Sequence, residues 1–178
     1  MPQDSLILWC TGMSGSGKTT ITTKVNDILA SEGLKTIIID GDEKRETDNK
    51  KLSFSKNDII KNNLSIASKC ETIRQNYDVI FVSVITPYSD TRELIRVKLS
   101  PKCKIVYMNA SISTLINRDT KGLYKQAKLG IIDNLIGFSQ SSPYEQPVAP
   151  DLELRTDNEN ELSENVRIFY KFIKRHFE

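Results

Sequence analysis

Short apolar runs alternate with stretches of helical periodicity along the chain. Leu6-Ile7-Leu8-Trp9 reads as a strand without inside-outside alternation, as expected of a strand buried on both faces. Ile21, Val25 and Ile28 then recur at helical spacing, and Gly33 ends that helix. Thr36-Ile37-Ile38-Ile39 predicts a second strand, closed by Asp40-Gly41-Asp42, and Ile60, Leu64, Ala67, Cys70 and Ile73 mark a long helix. Val79 to Val84 and Lys104 to Met108 give two more strands, Leu152-Glu153-Leu154 a short fifth, and Leu162, Val166, Phe169 and Ile173 a final amphipathic helix. Continuous apolar strands joined by helices imply an α/β fold, with a parallel sheet of about five strands covered on both faces. Ligands of such sheets sit beyond the carboxyl ends of the strands, here after Trp9, Ile39, Val84 and Met108. Residues from about 119 to 150 break the pattern with a mixture of Lys, Gly, Gln, Ser and Pro; an irregular segment of that length in a compact domain is usually functional or disordered.

Composition narrows the class. A chain of 178 residues suits a single domain spanning 1–178, and 38% hydrophobic with 27% charged residues is an ordinary soluble composition. The net charge of +2 is too small to argue for nucleic acid as a partner. Cys10, Cys70 and Cys103 form no CxxC pair, and three free thiols fit a reducing cytosol, so a cytoplasmic location is expected. The start, Met1-Pro2-Gln3-Asp4, lacks a basic signal-peptide region, and the apolar runs are too short to span a bilayer, so no membrane partner is expected. The single histidine, His176, rules out a Ser-His-Asp triad and any multi-histidine metal site.

Gly12-Met13-Ser14-Gly15-Ser16-Gly17-Lys18-Thr19 matches G-x-x-x-x-G-K-[ST] after a predicted strand and before a predicted helix. Glycines let the backbone curl around an anion with amide hydrogens inward, and the following helix adds its positive end. In that reading Gly12, Ser14, Gly15, Ser16, Gly17, Lys18, Thr19 and Thr20 hold the phosphates of ATP, Lys18 reaches the β- and γ-phosphates, and Thr19 ligates Mg²⁺. The fold class becomes a three-layer sandwich of the P-loop NTPase type. No N-K-x-D base-reading motif is present, and the third strand runs into Thr86-Pro87-Tyr88 rather than ending in an acid. Asp42, after the second strand, is then the candidate to serve both the metal and the acceptor hydroxyl.

The chain resembles the adenylylsulfate (APS) kinase family over nearly its whole length. The resemblance is carried by the phosphate loop through Thr20, Asp40-Gly41-Asp42 with Arg45, Phe54-Ser55, Thr86-Pro87-Tyr88 with Arg92, and Arg118-Asp119-Thr120-Lys121-Gly122-Leu123-Tyr124-Lys125. Asn134, Gly137 and Pro143-Tyr144-Glu145 complete it. The resemblance implies transfer of the ATP γ-phosphate to the ribose 3′-hydroxyl of a nucleotide acceptor, a mobile lid over about 119–150, and a homodimer. It also implies roles: Asp42 as the acid near metal and acceptor; Arg45 and Asn62 as acceptor contacts; Phe54 stacked on the acceptor base; Lys121 in the lid reaching the phosphates, with Gly122 and Leu123 beside it; Arg118 against the ATP adenine; Thr86, Pro87 and Arg92 on the acceptor side. Lys125 and Lys128 read as a solvated basic helix face.

Departures cluster on the acceptor side. The family pattern F-S-x-x-D-R-x-E-N-I-R-R becomes Phe54-Ser55-Lys56-Asn57-Asp58-Ile59-Ile60-Lys61-Asn62-Asn63-Leu64-Ser65, so that Ile59 replaces an arginine. The second aromatic, in F-T-G, becomes Leu135 in Leu135-Ile136-Gly137. Losing one base stack costs about 1–3 kcal/mol, and losing a desolvated charge contact about 2–5 kcal/mol. These substitutions lead to the expectation of a different nucleotide acceptor, such as cytidine diphosphoramidate in capsule modification, with APS itself as the alternative. A nucleotide-binding regulator without turnover is the minor alternative.

Overall fold

The computed structural model describes residues 5–41, 55–158 and 161–177. The strands are β1 (Leu6–Thr11), β2 (Thr36–Asp40), β3 (Val79–Ser83), β4 (Cys103–Asn109) and β5 (Leu152–Arg155). They form one five-stranded sheet in the order β2-β3-β1-β4-β5, with every neighbouring pair parallel. Every residue of β1 and β3 is buried, which explains why their sequences show no alternation.

Six helices lie among the described residues: α1 (Lys18–Ser31), α2 (Lys56–Ile73), α3 (Ser89–Lys98), α4 (Ile112–Arg118), α5 (Leu123–Lys128) and α6 (Leu162–Lys174). Because strand side chains alternate faces, Leu6, Leu8 and Cys10 of β1 point one way and Ile7 and Trp9 the other. The first set packs with Ile21, Val25 and Leu29 of α1 and Val166, Phe169 and Ile173 of α6. The second packs with Ile66, Ala67 and Cys70 of α2 and Ile95 of α3. The result is the three-layer sandwich.

Two buried faces differ from the apolar periodicity. In α1 the inward residues are Ile21, Thr22, Val25 and Leu29, while Ile28 is exposed. In α2 the inward residues are Ile59, Asn62, Asn63, Ile66, Ala67 and Cys70, one position away from the Ile60-Leu64 stripe. The two asparagines carry no hydrophobic signal, so the apolar period finds the buried Ala67 and Cys70, with Leu64 and Ile73 packed beside them, and not the inward Asn62 and Asn63. α3 left no apolar period, because its buried residues are Thr91, Arg92 and Ile95. The segment 119–150 holds α5 and is otherwise irregular; its Tyr124 and Leu135 are buried with Leu115 of α4.

Candidate active site

The turn from β1 into α1 brings the phosphate loop to the carboxyl end of the central strand, between β3 and β4. Gly15 and Gly17 adopt φ of 79° and 87°, in the left-handed region that glycine occupies without a Cβ penalty. Gly12 is required by proximity: a Cβ there would lie 2.5 Å from Ser16 Oγ and 2.6 Å from the Met108 carbonyl. The Lys18 ammonium donates to the carbonyls of Gly12 at 2.8 Å and Met13 at 2.9 Å, which holds it across the loop. The Thr19 hydroxyl donates to Asp40 Oδ2 at 2.8 Å. With its proton directed at that carboxylate, the Thr19 oxygen presents lone pairs, the arrangement a magnesium ligand needs.

The residues present fit ATP with Mg²⁺. The loop is a cradle that a Cβ at Gly12 would fill, and Ser16 Oγ is buried without a hydrogen-bond partner. Mg²⁺ in such sites is held by one or two protein oxygens plus phosphates, so the Thr19–Asp40 pair suffices as a protein contribution.

A cleft of about 610 Å³ opens from the loop. Ser14, Gly15, Gly17, Lys18, Thr19 and Thr20 line one end; Asp40, Gly41, Asn62 and Lys121 are also in its wall. Ile59, Asn63, Val84, Ile85 and Ile136 line it as well. The structure therefore brings Lys18, Thr19, Asn62, Ile59 and Lys121 into one cavity, although they span a hundred residues of sequence. Asp42, Arg45 and Phe54 lie outside the described residues.

Several candidates stand elsewhere. Thr86 is completely buried; its hydroxyl accepts from the Trp9 indole at 2.7 Å, and it is absent from the cleft wall. A hydroxyl so enclosed is not placed to carry a phosphoryl group. Arg92 is 5% exposed and donates to the Thr86 and Glu145 carbonyls, each at 2.7 Å. Burial pulls its pKa below the ordinary guanidinium value, and the nearby Tyr144 and Glu145 act in the opposite direction. Its donors are engaged in tying the β3–α3 loop to Glu145, within the irregular 119–150 segment. Pro87, also buried, joins that tie by accepting from the Glu145 N–H at 2.8 Å. Leu135 points into the cluster of Ala110, Leu115 and Tyr124, and its neighbour Ile136 faces the cleft beside Ile59 and Tyr88. Leu135 stands where the family pattern has an aromatic, but packing puts Ile136 at the wall. Arg118 ends α4 and donates to the carbonyls of Thr156 and Asp157.

The lid block is docked on the phosphate loop. Gly122 takes φ 66° before α5, and Leu123 is half-buried against the cluster that holds Tyr124. Asp119 accepts from the N–H groups of Tyr124 and Lys125, both at 2.9 Å, closing the start of that short helix. The Tyr124 hydroxyl donates to the Ser14 carbonyl at 2.8 Å, and burial raises its pKa to about 12 with help from the Asp119 charge. Gly137, at φ 80°, passes so near Met13 that a Cβ would fall 2.0 Å from its sulfur. Asp40, Asn63, Tyr124 and Thr156 are among the site residues that sequence alone does not assign. Asp40 lay in the quoted D-G-D, Asn63 in the quoted acceptor stretch and Tyr124 inside the lid block; Thr156 carried no local signal.

A phosphate loop after the central strand of a parallel sheet, with a threonine–aspartate pair beside it and a basic segment across it, defines a P-loop phosphotransferase. The adenylylsulphate kinase family profile matches residues 4–155, and the chain belongs to that family. Curated relatives include the probable adenylyl-sulfate kinase of Aeropyrum pernix, 33% identical over 97% of this chain and 94% of its own length. The adenylyl-sulfate kinase of Microcystis aeruginosa is 39% identical over 93% and 90%. Among solved structures, the APS kinase CysC of Mycobacterium tuberculosis in complex with AMPPNP and APS superposes with a TM-score of 0.90 at 27% identity, covering 97% of this chain and 99% of that one. This protein is accordingly an ATP-dependent phosphotransferase with a hydroxyl acceptor. These relatives favour APS over the different acceptor that the substitutions led one to expect. No helix among the described residues is long and apolar enough to cross a membrane.

Proposed function

We propose that the protein transfers the γ-phosphate of ATP to the ribose 3′-hydroxyl of adenylylsulfate, forming 3′-phosphoadenylylsulfate. The observation that carries this reading is the cleft that the phosphate loop, Asp40, Asn62 and Lys121 line together, in a chain of the adenylylsulphate kinase family. The relative solved with AMPPNP and APS covers almost the whole chain and supports the same donor and acceptor. Lys18 and the inward amides of the loop bind the β- and γ-phosphates, and Lys121 neutralises charge on the group in transit. Mg²⁺, when bound by Thr19 with Asp40 and Asp42, supplies electrostatic stabilisation of the phosphates. Asp42 accepts the proton of the attacking 3′-hydroxyl, and Arg45, Phe54 and Asn62 hold the acceptor. Transfer is direct, because the Thr86 hydroxyl is enclosed against Trp9. Residues 1–178 act as one kinase domain, and the family resemblance further suggests a homodimer.

A second acceptor is favoured by one feature. Ile59, 3% exposed, is an apolar part of the wall where the family pattern has an arginine, which suits an acceptor with less anionic charge at that point. ADP release measured with APS and with cytidine diphosphoramidate, side by side, separates the two. Turnover at least tenfold more efficient with APS is expected. Preference for the cytidine compound would replace the proposed acceptor, and no ADP release with either would remove the proposed reaction.

A further inference from the structure

Two carbonyls of the phosphate loop are gripped by hydroxyls from outside it. The Tyr124 hydroxyl of α5 donates to the Ser14 carbonyl at 2.8 Å, and the Thr156 hydroxyl, just after β5, donates to the Ser16 carbonyl at 2.9 Å. Both side chains are buried, at 2% and 5% exposure. Thr156 is itself anchored: its N–H donates to the Asn109 carbonyl at 2.8 Å, and its own carbonyl accepts from Arg118.

A trans peptide is planar, so a carbonyl and the N–H that follows it point in opposite directions. Drawing the Ser14 carbonyl toward Tyr124 turns the Gly15 N–H the other way; drawing the Ser16 carbonyl toward Thr156 does the same for Gly17. Gly15 and Gly17 both line the cleft. Glycine adjoins each of these peptides, and glycine leaves the backbone the most freedom to turn them over. The two hydroxyls remove that freedom, one at each peptide.

We infer that Tyr124 and Thr156 are positioning residues that lock the Ser14–Gly15 and Ser16–Gly17 peptides with their N–H groups toward the nucleotide phosphates. The inference rests on the reading of Gly12 to Thr19 as the ATP site. It gives Tyr124 a second consequence: the lid segment that carries Lys121 and the orientation of a phosphate-binding peptide are set by one hydrogen bond.

The test uses the full chain with Tyr124→Phe and Thr156→Val, which remove the hydroxyl and keep the bulk, and Thr156→Ser, which keeps the hydroxyl. Calorimetric Kd for AMPPNP with Mg²⁺ is measured beside KM for ATP and for the acceptor. Each hydroxyl-deleting variant is expected to weaken nucleotide binding about 3- to 10-fold, the worth of one hydrogen bond. The acceptor KM should stay within about twofold of wild type, and Thr156→Ser should restore the nucleotide Kd. Unchanged AMPPNP affinity in both variants overturns the inference. Equal weakening toward nucleotide and acceptor also overturns it, since a merely structural role would loosen both ends of the cleft. Failure of the unaltered chain to bind AMPPNP is a distinct result, which removes the ATP-site reading and the inference with it.

Discussion

The donor end of the cleft takes most of its residues from one loop, Ser14, Gly15 and Gly17 to Thr20, with Asp40 and Lys121 beside it, whereas the acceptor end gathers Ile59, Asn62 and Asn63 from α2, Val84 and Ile85 from the end of β3, and Ile136 from the segment after α5. The donor end works mainly with backbone amides, which any substitution other than proline leaves in place, although one at the left-handed Gly15 or Gly17 strains the loop that aims them. The acceptor end works with side chains, which change one at a time. This difference explains why the loop keeps the full motif while the acceptor wall has Ile59 in place of an arginine. A backbone-built site is insensitive to most substitutions, and a side-chain-built site records them as selectivity.

The comparison breaks first at its charged members. Lys18→Ala removes the cation that spans the loop, and kcat/KM should fall by about 10³-fold or more while the thermal midpoint moves little. Asp42→Ala should lose turnover on the same scale with nucleotide binding retained, measured as AMPPNP affinity beside ADP release. Wild-type turnover in either variant would remove that residue from the proposed chemistry.

Gly137→Ala tests the contact that joins the two ends. The left-handed φ and the approach of Met13 leave no room for a methyl group, so a loss of about 1–3 kcal/mol is expected in denaturant unfolding. Turnover should fall with it, because Met13 lies in the phosphate loop. Unaltered stability would mean that the segment and the loop are not packed together in solution.

Ile59→Arg sharpens the comparison at the acceptor wall. A restored cation should raise kcat/KM for APS about tenfold while KM for ATP stays constant. An equal shift for both substrates would show that the two ends are not energetically separate. Ile136, rather than Leu135, is the partner to vary with it, since Ile136 shares the wall.

The smallest effect belongs to the core beneath both ends. Cys10, Cys70 and Cys103 are buried, and burial pushes the Cys103 thiol up to about 12 and the Cys10 thiol higher still. At pH 8 the thiolate fraction of Cys103 is of order 10⁻⁴. Iodoacetamide should label these sites only after unfolding, and rapid labelling of the native protein would contradict the packing.

The sheet and the donor loop were legible because they are local. β1, β2, β3, β4 and β5 each appear as an apolar run within a residue or two of their observed bounds, and the phosphate loop is a contiguous motif. The face of α2 was legible only at its core half, Ala67 and Cys70, because Asn62 and Asn63 line a cleft rather than the core and polar residues carry no period. α3 was missed for a related reason: its buried Arg92 serves the backbone carbonyls of Thr86 and Glu145.

The sequence by itself determined the parallel α/β sheet, the position of the phosphate loop and the family, since strand burial, glycine spacing and contiguous motifs are all properties of neighbours along the chain. Only the tertiary structure decided that Asp40 bonds Thr19, that Ile136 and not Leu135 faces the cleft, that Thr86 and Arg92 belong to the frame, and that Tyr124 and Thr156 grip the loop. Each of those facts joins residues separated by between 6 and 140 positions or depends on which side of a segment packs inward. A hydrogen bond of that reach is set by the packing of layers, and nothing in the local order of residues specifies it.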